Sequence, residues 1–167
     1  YMYDETNPFI FMGFDHVVSI IFFLILSISI PYLAKKYLNE KQQHILGSFI
    51  GGFVLLGYLS WVILELVAGT FSIKLHLPFH LCRTANILMF IVLVFRSHLA
   101  YEIVFFWGLT VIHAVITPDT TQGFPHYHFI RYWLTHQMMI IGIIYATFVY
   151  DIRPVSYTHL TLPTTSP

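Results

Sequence analysis

Apolar residues run along this chain in long blocks broken by short polar stretches, and they do not alternate with polar residues. A helix needs about 20 such residues to cross the hydrocarbon core of a bilayer. Five blocks approach that length: roughly His16–Ala34, Ile45–Ala68, Pro78–Phe95, Leu99–Ile116 and Tyr132–Tyr150. Lys35 and Lys36 close the first. The second carries Gly47, Gly51, Gly52 and Gly57, and the first three offer the small-residue spacing that lets helices approach closely. The longest link, Thr117–Ile130, contains Pro118, Gly123 and Pro125. No repeat or separate soluble domain is visible. The pattern predicts an all-α fold over residues 1–154, a polytopic transmembrane bundle of five helices.

Composition removes the main alternative. Of 167 residues, 57% are hydrophobic and only 10% charged, with mean hydropathy +0.72. Soluble domains carry about 25% charged residues, so five buried core helices of a soluble protein would have no polar face to offer water. Aromatics reach 18%, and Trp and Tyr favour the membrane–water boundary. A net charge of zero gives no electrostatic footprint for nucleic acid. The single cysteine, Cys82, excludes an internal disulfide and a multi-cysteine metal site. The first block lacks a basic leader and a small-residue cleavage site, so it reads as a retained helix. The chain opens on Tyr1. The tail Val155–Pro167 shifts abruptly to Thr, Ser and Pro and reads as a translated sequencing adapter, outside the domain and in place of a natural C-terminal part.

Basic residues orient the bundle. Alternating the spans puts Lys35, Lys36, Lys41, Arg96 and Arg153 on one side and Lys74, Arg83 and Arg131 on the other. The positive-inside rule places the first group in the cytoplasm and the N-terminus outside, as expected of a multi-pass cell-membrane protein.

The remaining polar residues are unevenly spread. Asp15 and His16 open the first span, and Glu65 lies near the outer end of the second. His76, His80, Cys82, Arg83 and Asn86 precede or begin the third, and His113 lies near the outer end of the fourth. Asp119, His126, His128, Arg131, His136 and Gln137 surround the start of the fifth. All fall at one end once the helices alternate, whereas His44, His98 and Glu102 mark the other. A charge within a membrane helix costs roughly 2.5–3.5 kcal/mol on insertion scales. So many at one depth predict a shared polar cavity in preference to independent contacts with headgroups. His80, Arg83 and Asn86 are spaced by three and share a helix face, while Cys82, about 100° round from Arg83, is expected on another. His76 with His80, and the pair His126 and His128, are weak as metal motifs, and no metal or other cofactor is expected.

Imidazoles titrate near neutrality, so His80, His113 and His136 are candidate acids or bases. Arg83 and Arg131 suit a phosphate or carboxylate headgroup. Asn86, Glu65, Asp119, Gln137 and His16 complete the candidate substrate contacts. Cys82 is either a nucleophile or a small apolar filler. No GxSxG, HExxH or P-loop motif appears.

The stretches LHLPFHLCRTANI (Leu75–Ile87), HAVITPD (His113–Asp119) and FPHYHFIRYWLTHQ (Phe124–Gln137), with the helix-opening pair Asp15–His16, resemble the YwaF-like bacterial integral membrane proteins over about Asn7–Arg153. The resemblance implies about seven helices in a full protein. That family is distantly similar to eukaryotic membrane acyltransferases that remodel phospholipids through a cysteine and a histidine. It therefore implies acyl transfer, with His80 and His136 the first positions to test. In the acyltransferase pattern the cysteine directly precedes the histidine that follows the proline. Here that position is Phe79 in Pro78–Phe79–His80, so the resemblance carries over the histidines and not a cysteine nucleophile. Three functions are in contention: a lipid-directed enzyme acting by acyl transfer or hydrolysis, a small-solute or ion transporter, and a non-catalytic membrane binding or assembly protein. Membrane lipid is the expected partner. The apolar helix centres weigh against a transport path, because transporters place polar groups near the midplane.

Overall fold

The computed structural model describes residues 8–73 and 81–154. His76, His80 and the expected helix start at Pro78 lie outside the described residues. Among the described residues five long helices follow one another: α1 (Phe14–Tyr37), α2 (Glu40–Val67), α3 (Leu81–Phe95), α4 (His98–Ile116) and α5 (Tyr127–Phe148). The protein is a helical transmembrane bundle, as its apolar blocks predict. α1, α2 and α4 are each long and apolar enough to cross a membrane. α3 is shorter, with 15 residues, and α5 has 22 residues with a polar first half. At about 1.5 Å per residue α5 reaches roughly 33 Å, the thickness of the hydrocarbon core.

Capping residues set the helix ends where hydropathy cannot. Asn39 and Gln42 form a reciprocal capping box: Asn39 Oδ1 accepts from the Gln42 amide at 2.9 Å, and Gln42 Oε1 accepts from the Asn39 amide at 3.1 Å. This starts α2 at Glu40, ahead of its apolar run at Ile45. His126 Nδ1 accepts from the His128 amide at 3.2 Å and starts α5 at Tyr127, ahead of the expected Tyr132. Between α3 and α4 the chain reverses through Arg96, whose φ of 53° is in the left-handed region, and Ser97 caps α4.

α5 is the central helix and packs against α1, α2, α3 and α4. α2 and α3 form the most extensive pair, whereas α1 packs chiefly on α5. The faces turned outward are apolar: Ile21, Leu24, Ile25 and Ile28 of α1 are more than half exposed. That distribution is stable only where hydrocarbon replaces water. The core holds Met89, Val92, Leu93, Tyr101, Val104, Ile141 and Tyr145, each fully buried.

The glycine pair of α2 is a packing surface. A Cβ on Gly51 would stand 3.1 Å from Leu93 Cβ and 3.3 Å from Phe90 Cα, the latter immovable α3 backbone. One on Gly47 would overlap the Tyr150 hydroxyl. Gly52, by contrast, has nothing within 4 Å. Gly51→Val should therefore cost about 1–3 kcal/mol through overpacking, lowering the melting temperature of the detergent-purified protein, while Gly52→Val should leave it close to wild type.

Tyrosine hydroxyls tie the end opposite the polar cluster. Tyr145 donates to the Gln43 carbonyl at 2.7 Å and Tyr150 to the Leu93 carbonyl at 3.0 Å. Tyr101 and Thr147 share a hydroxyl contact at 2.7 Å. These bonds join the C-terminal half of α5 to α2 and α4, and the segment just after it to α3. Arg96 stacks over Tyr150 with its guanidinium carbon 4.5 Å from the ring centre.

Candidate functional site

The polar residues of α2, α3 and α5 meet at one end of the bundle. A cavity of about 250 Å³ is lined there by Tyr58 and Trp61 of α2, by Cys82, Arg83 and Asn86 of α3, and by Arg131, Thr135 and His136 of α5. The antiparallel order of the helices produces this meeting. The last turns of α2 and the first turns of α3 and α5 lie at the same level.

Cys82 belongs to this cavity, contrary to the expectation that it faces elsewhere. At about 100° per residue, Asn86 falls about 40° round from Cys82 and Arg83 about 100°. One opening therefore spans all three, with Asn86 in its middle. Asn86 is 5% exposed, and its Oδ1 is buried with no hydrogen-bond partner among the described residues. Buried polar atoms normally find partners, so an orphaned acceptor facing a cavity points to a ligand or solvent donor.

Trp61 is the platform of the site. The guanidinium carbons of Arg83 and Arg131 stand 4.6 Å and 4.5 Å from its ring centre. Its indole nitrogen donates to Glu65 Oε1 at 3.1 Å, and the Thr70 hydroxyl donates to the other oxygen of that carboxylate. The indole thus gathers two cations of like sign against one aromatic ring, an arrangement suited to an anion between them. The Arg131 Nε is buried without a hydrogen-bond partner among the described residues.

His136 is held in one tautomer. Its Nδ1 lies 2.8 Å from the Tyr132 carbonyl, which only accepts, so Nδ1 carries the proton and Nε2 is left as the acceptor of a neutral imidazole. Its ring stacks on Tyr132 with centroids 4.2 Å apart and planes at 28°. The Tyr132 hydroxyl donates to the Ala114 carbonyl of α4 at 2.6 Å and fixes the ring it stacks on.

Two further cavities touch this one through Arg131. An apolar groove of about 320 Å³ lies between α2 and α5 and shares Arg131 and Thr135. A polar recess of about 340 Å³, with Asp119, Gln122 and His128 in its walls, shares Arg131 and adds Tyr132. Asp119 and Glu65 therefore stand around the cavity and not in it.

Other candidates fall elsewhere. His16 is fully buried at the start of α1, where Nδ1 accepts from the Met12 amide at 3.0 Å and Nε2 donates to the Val115 carbonyl at 3.2 Å. Both nitrogens are engaged in joining α1 to α4. His113 is exposed in the last turn of α4 and lines none of the four cavities described for the chain. Gln137 is buried and lines none of them either. Tyr58, Trp61 and Thr135 also line the cavity and carry no charge that marks them in the sequence. Thr135 lies one turn from Arg131 on α5, whereas Tyr58 and Trp61 meet the arginines only across helices, which no spacing within α2 reveals.

The fold and this chamber define a multi-pass α-helical membrane protein with a basic, histidine-bearing cavity at one end of its bundle. The model of the TMEM164 family matches residues 11–160, and the chain belongs to that family. The match supports the membrane-protein part of the resemblance drawn above and names neither the YwaF-like proteins nor a bacterial source. No curated protein and no solved structure matches the chain.

Replacing Trp61 with Leu removes the platform of both guanidiniums. At about 0.5–2 kcal/mol per cation–π contact, the variant should lose roughly 1–3 kcal/mol. Thermal unfolding in detergent, followed by tryptophan-independent size-exclusion, reads the loss, which Trp61→Phe should partly restore.

Proposed function

We propose that this protein transfers acyl chains between membrane lipids, with Cys82 as nucleophile and His136 as general base. The observation that carries the reading is the chamber itself. The chain's single thiol and a histidine with a free acceptor nitrogen line the same 250 Å³ cavity, with two guanidiniums against one indole. The kinship with phospholipid-remodelling acyltransferases suggested by the sequence supports the same chemistry. Here Cys82 takes the nucleophile's part from its place in the chamber, because Phe79 occupies the position where that pattern has cysteine.

The steps balance as follows. His136 Nε2 accepts the thiol proton as Cys82 Sγ attacks the ester carbonyl of a donor phospholipid. The ester C–O bond breaks, and the imidazolium returns its proton to the departing lysolipid oxygen. The acyl chain is left as a thioester on Cys82. The hydroxyl of an acceptor lysolipid then attacks the thioester carbonyl, giving its proton to Nε2. The C–S bond breaks, and the proton passes back to the Cys82 thiolate. Water in the acceptor's place gives hydrolysis. Arg83 and Arg131 hold the phosphodiester, and Asn86 accepts a hydrogen bond from a lipid hydroxyl.

The test is acyl exchange between phosphatidylcholine and a labelled lysolipid by the full-length protein in vesicles. Cys82→Ala should abolish transfer, and His136→Ala should slow it about 10²–10⁴-fold, as expected for loss of a general base. Mass spectrometry of the protein quenched in acid should find the acyl group on Cys82. Full transfer by Cys82→Ala, or solute uptake with lipids unchanged, would overturn the reading.

A further inference from the structure

The apolar groove between α2 and α5 is separate from the chamber but shares a wall with it, and its place in the bundle identifies its occupant. Phe53, Leu56 and Gly57 of α2 face Ile130 and Leu134 of α5 across it. Phe53 and Ile130 are each 38% exposed and Leu56 64%, so the groove opens on the flank of the bundle that meets the bilayer. It extends along α5 from Tyr127 to Thr135 and along α2 from Phe53 to Ser60, about 10–12 Å at 1.5 Å per residue. Its lower reach is therefore at hydrocarbon depth, and its upper reach is level with the arginines.

Two residues open it. Gly57 has no side chain to fill the gap, and a Cβ there would meet Thr135 Cγ2 at 3.4 Å. The Thr135 hydroxyl is engaged with the Arg131 carbonyl at 2.8 Å and the Tyr132 carbonyl at 3.2 Å of its own helix. Its methyl group is therefore what approaches Gly57. At the wall between groove and chamber, Arg131 and Thr135 belong to both. A chain lying in the groove thus has its polar end beside a guanidinium, Cys82 and His136.

We infer that this groove seats one hydrocarbon chain of the lipid substrate, with its ester end passing Arg131 into the chamber and Gly57 gauging the chain that fits. The inference rests on the acyl-transfer reading for the reaction, but the seating can be measured without it. The bilayer is the source of the occupant: the groove is apolar, faces lipid, and joins a chamber whose cations suit the phosphate of the same molecule.

The experiment uses the full-length protein in vesicles containing a phosphatidylcholine with a diazirine in its acyl chain. After irradiation, peptide mapping should find adducts on Phe53, Leu56 and Ile130 above those on the lipid-facing Ile21 and Ile28 of α1. Gly57→Leu should remove the groove adducts and leave the α1 adducts unchanged, while Gly57→Ala should keep both. Where transfer is measured, Gly57→Leu should lower oleoyl relative to octanoyl transfer by roughly tenfold, the burial of about two methylenes. If Gly57→Leu does not fold, Leu56→Trp narrows the same groove from its exposed side. Groove adducts no stronger than those on α1, or unaltered by a folded narrowing variant, would overturn the seating whether or not transfer occurs. Absent transfer with adducts behaving as expected would overturn the reaction and leave the seating standing.

Discussion

Hydrocarbon offers no hydrogen bonds, so each polar group carried into this bundle must find its partner inside. α5 meets that demand because it is surrounded by the other four helices. It is the helix least able to face lipid, with Arg131, Thr135, His136 and Gln137 within two turns, and it is the one most enclosed. α1, apolar all round, can stand at the periphery with most of its side chains in the bilayer. The order of burial follows from which helix can least tolerate lipid.

The two ends solve the constraint differently. At one, tyrosine hydroxyls close onto backbone carbonyls across helices, and apolar packing fills the space between. At the other, side chains of α2, α3 and α5 surround a space, with two guanidiniums held against the Trp61 ring. Buried polar groups there are incompletely paired, as Asn86 Oδ1 and Arg131 Nε show. The tyrosine end keeps a recess of about 500 Å³ at its surface, lined by Glu40, Lys41, His44 and Arg96, but the thiol and the paired guanidiniums lie at the other end.

Much of this was legible in the chain. Five apolar blocks correspond to five helices, and alternating them gathers the polar residues at one end, where the chamber lies. Helix limits were less legible because hydropathy reports where lipid begins, not where helix begins; Asn39 and His126 start α2 and α5 in the polar zone. Facing was harder still. His16 and His113 look alike as histidines at helix ends, yet one has both nitrogens bonded in the core and the other is exposed. Cys82 and Arg83 are a quarter-turn apart, and only the width of the cavity decides that both line it. Trp61 pairs with Glu65 one turn on in α2, but the two arginines it holds come from α3 and α5, which nothing in α2 announces.

The tyrosine-closed half of the bundle has an electrical consequence. A transmembrane voltage falls across whatever insulates, about 2.3 kcal/mol for each unit charge moved through 100 mV. Here the insulating layer is the packed half between the chamber and the opposite surface, while the chamber adjoins the recess lined by Asp119 and Gln122. In the proposed reaction a proton passing between Cys82 and His136 would stay within the chamber, on one side of that layer. The proposed acyl transfer would thereby run independently of the energetic state of the membrane that houses it.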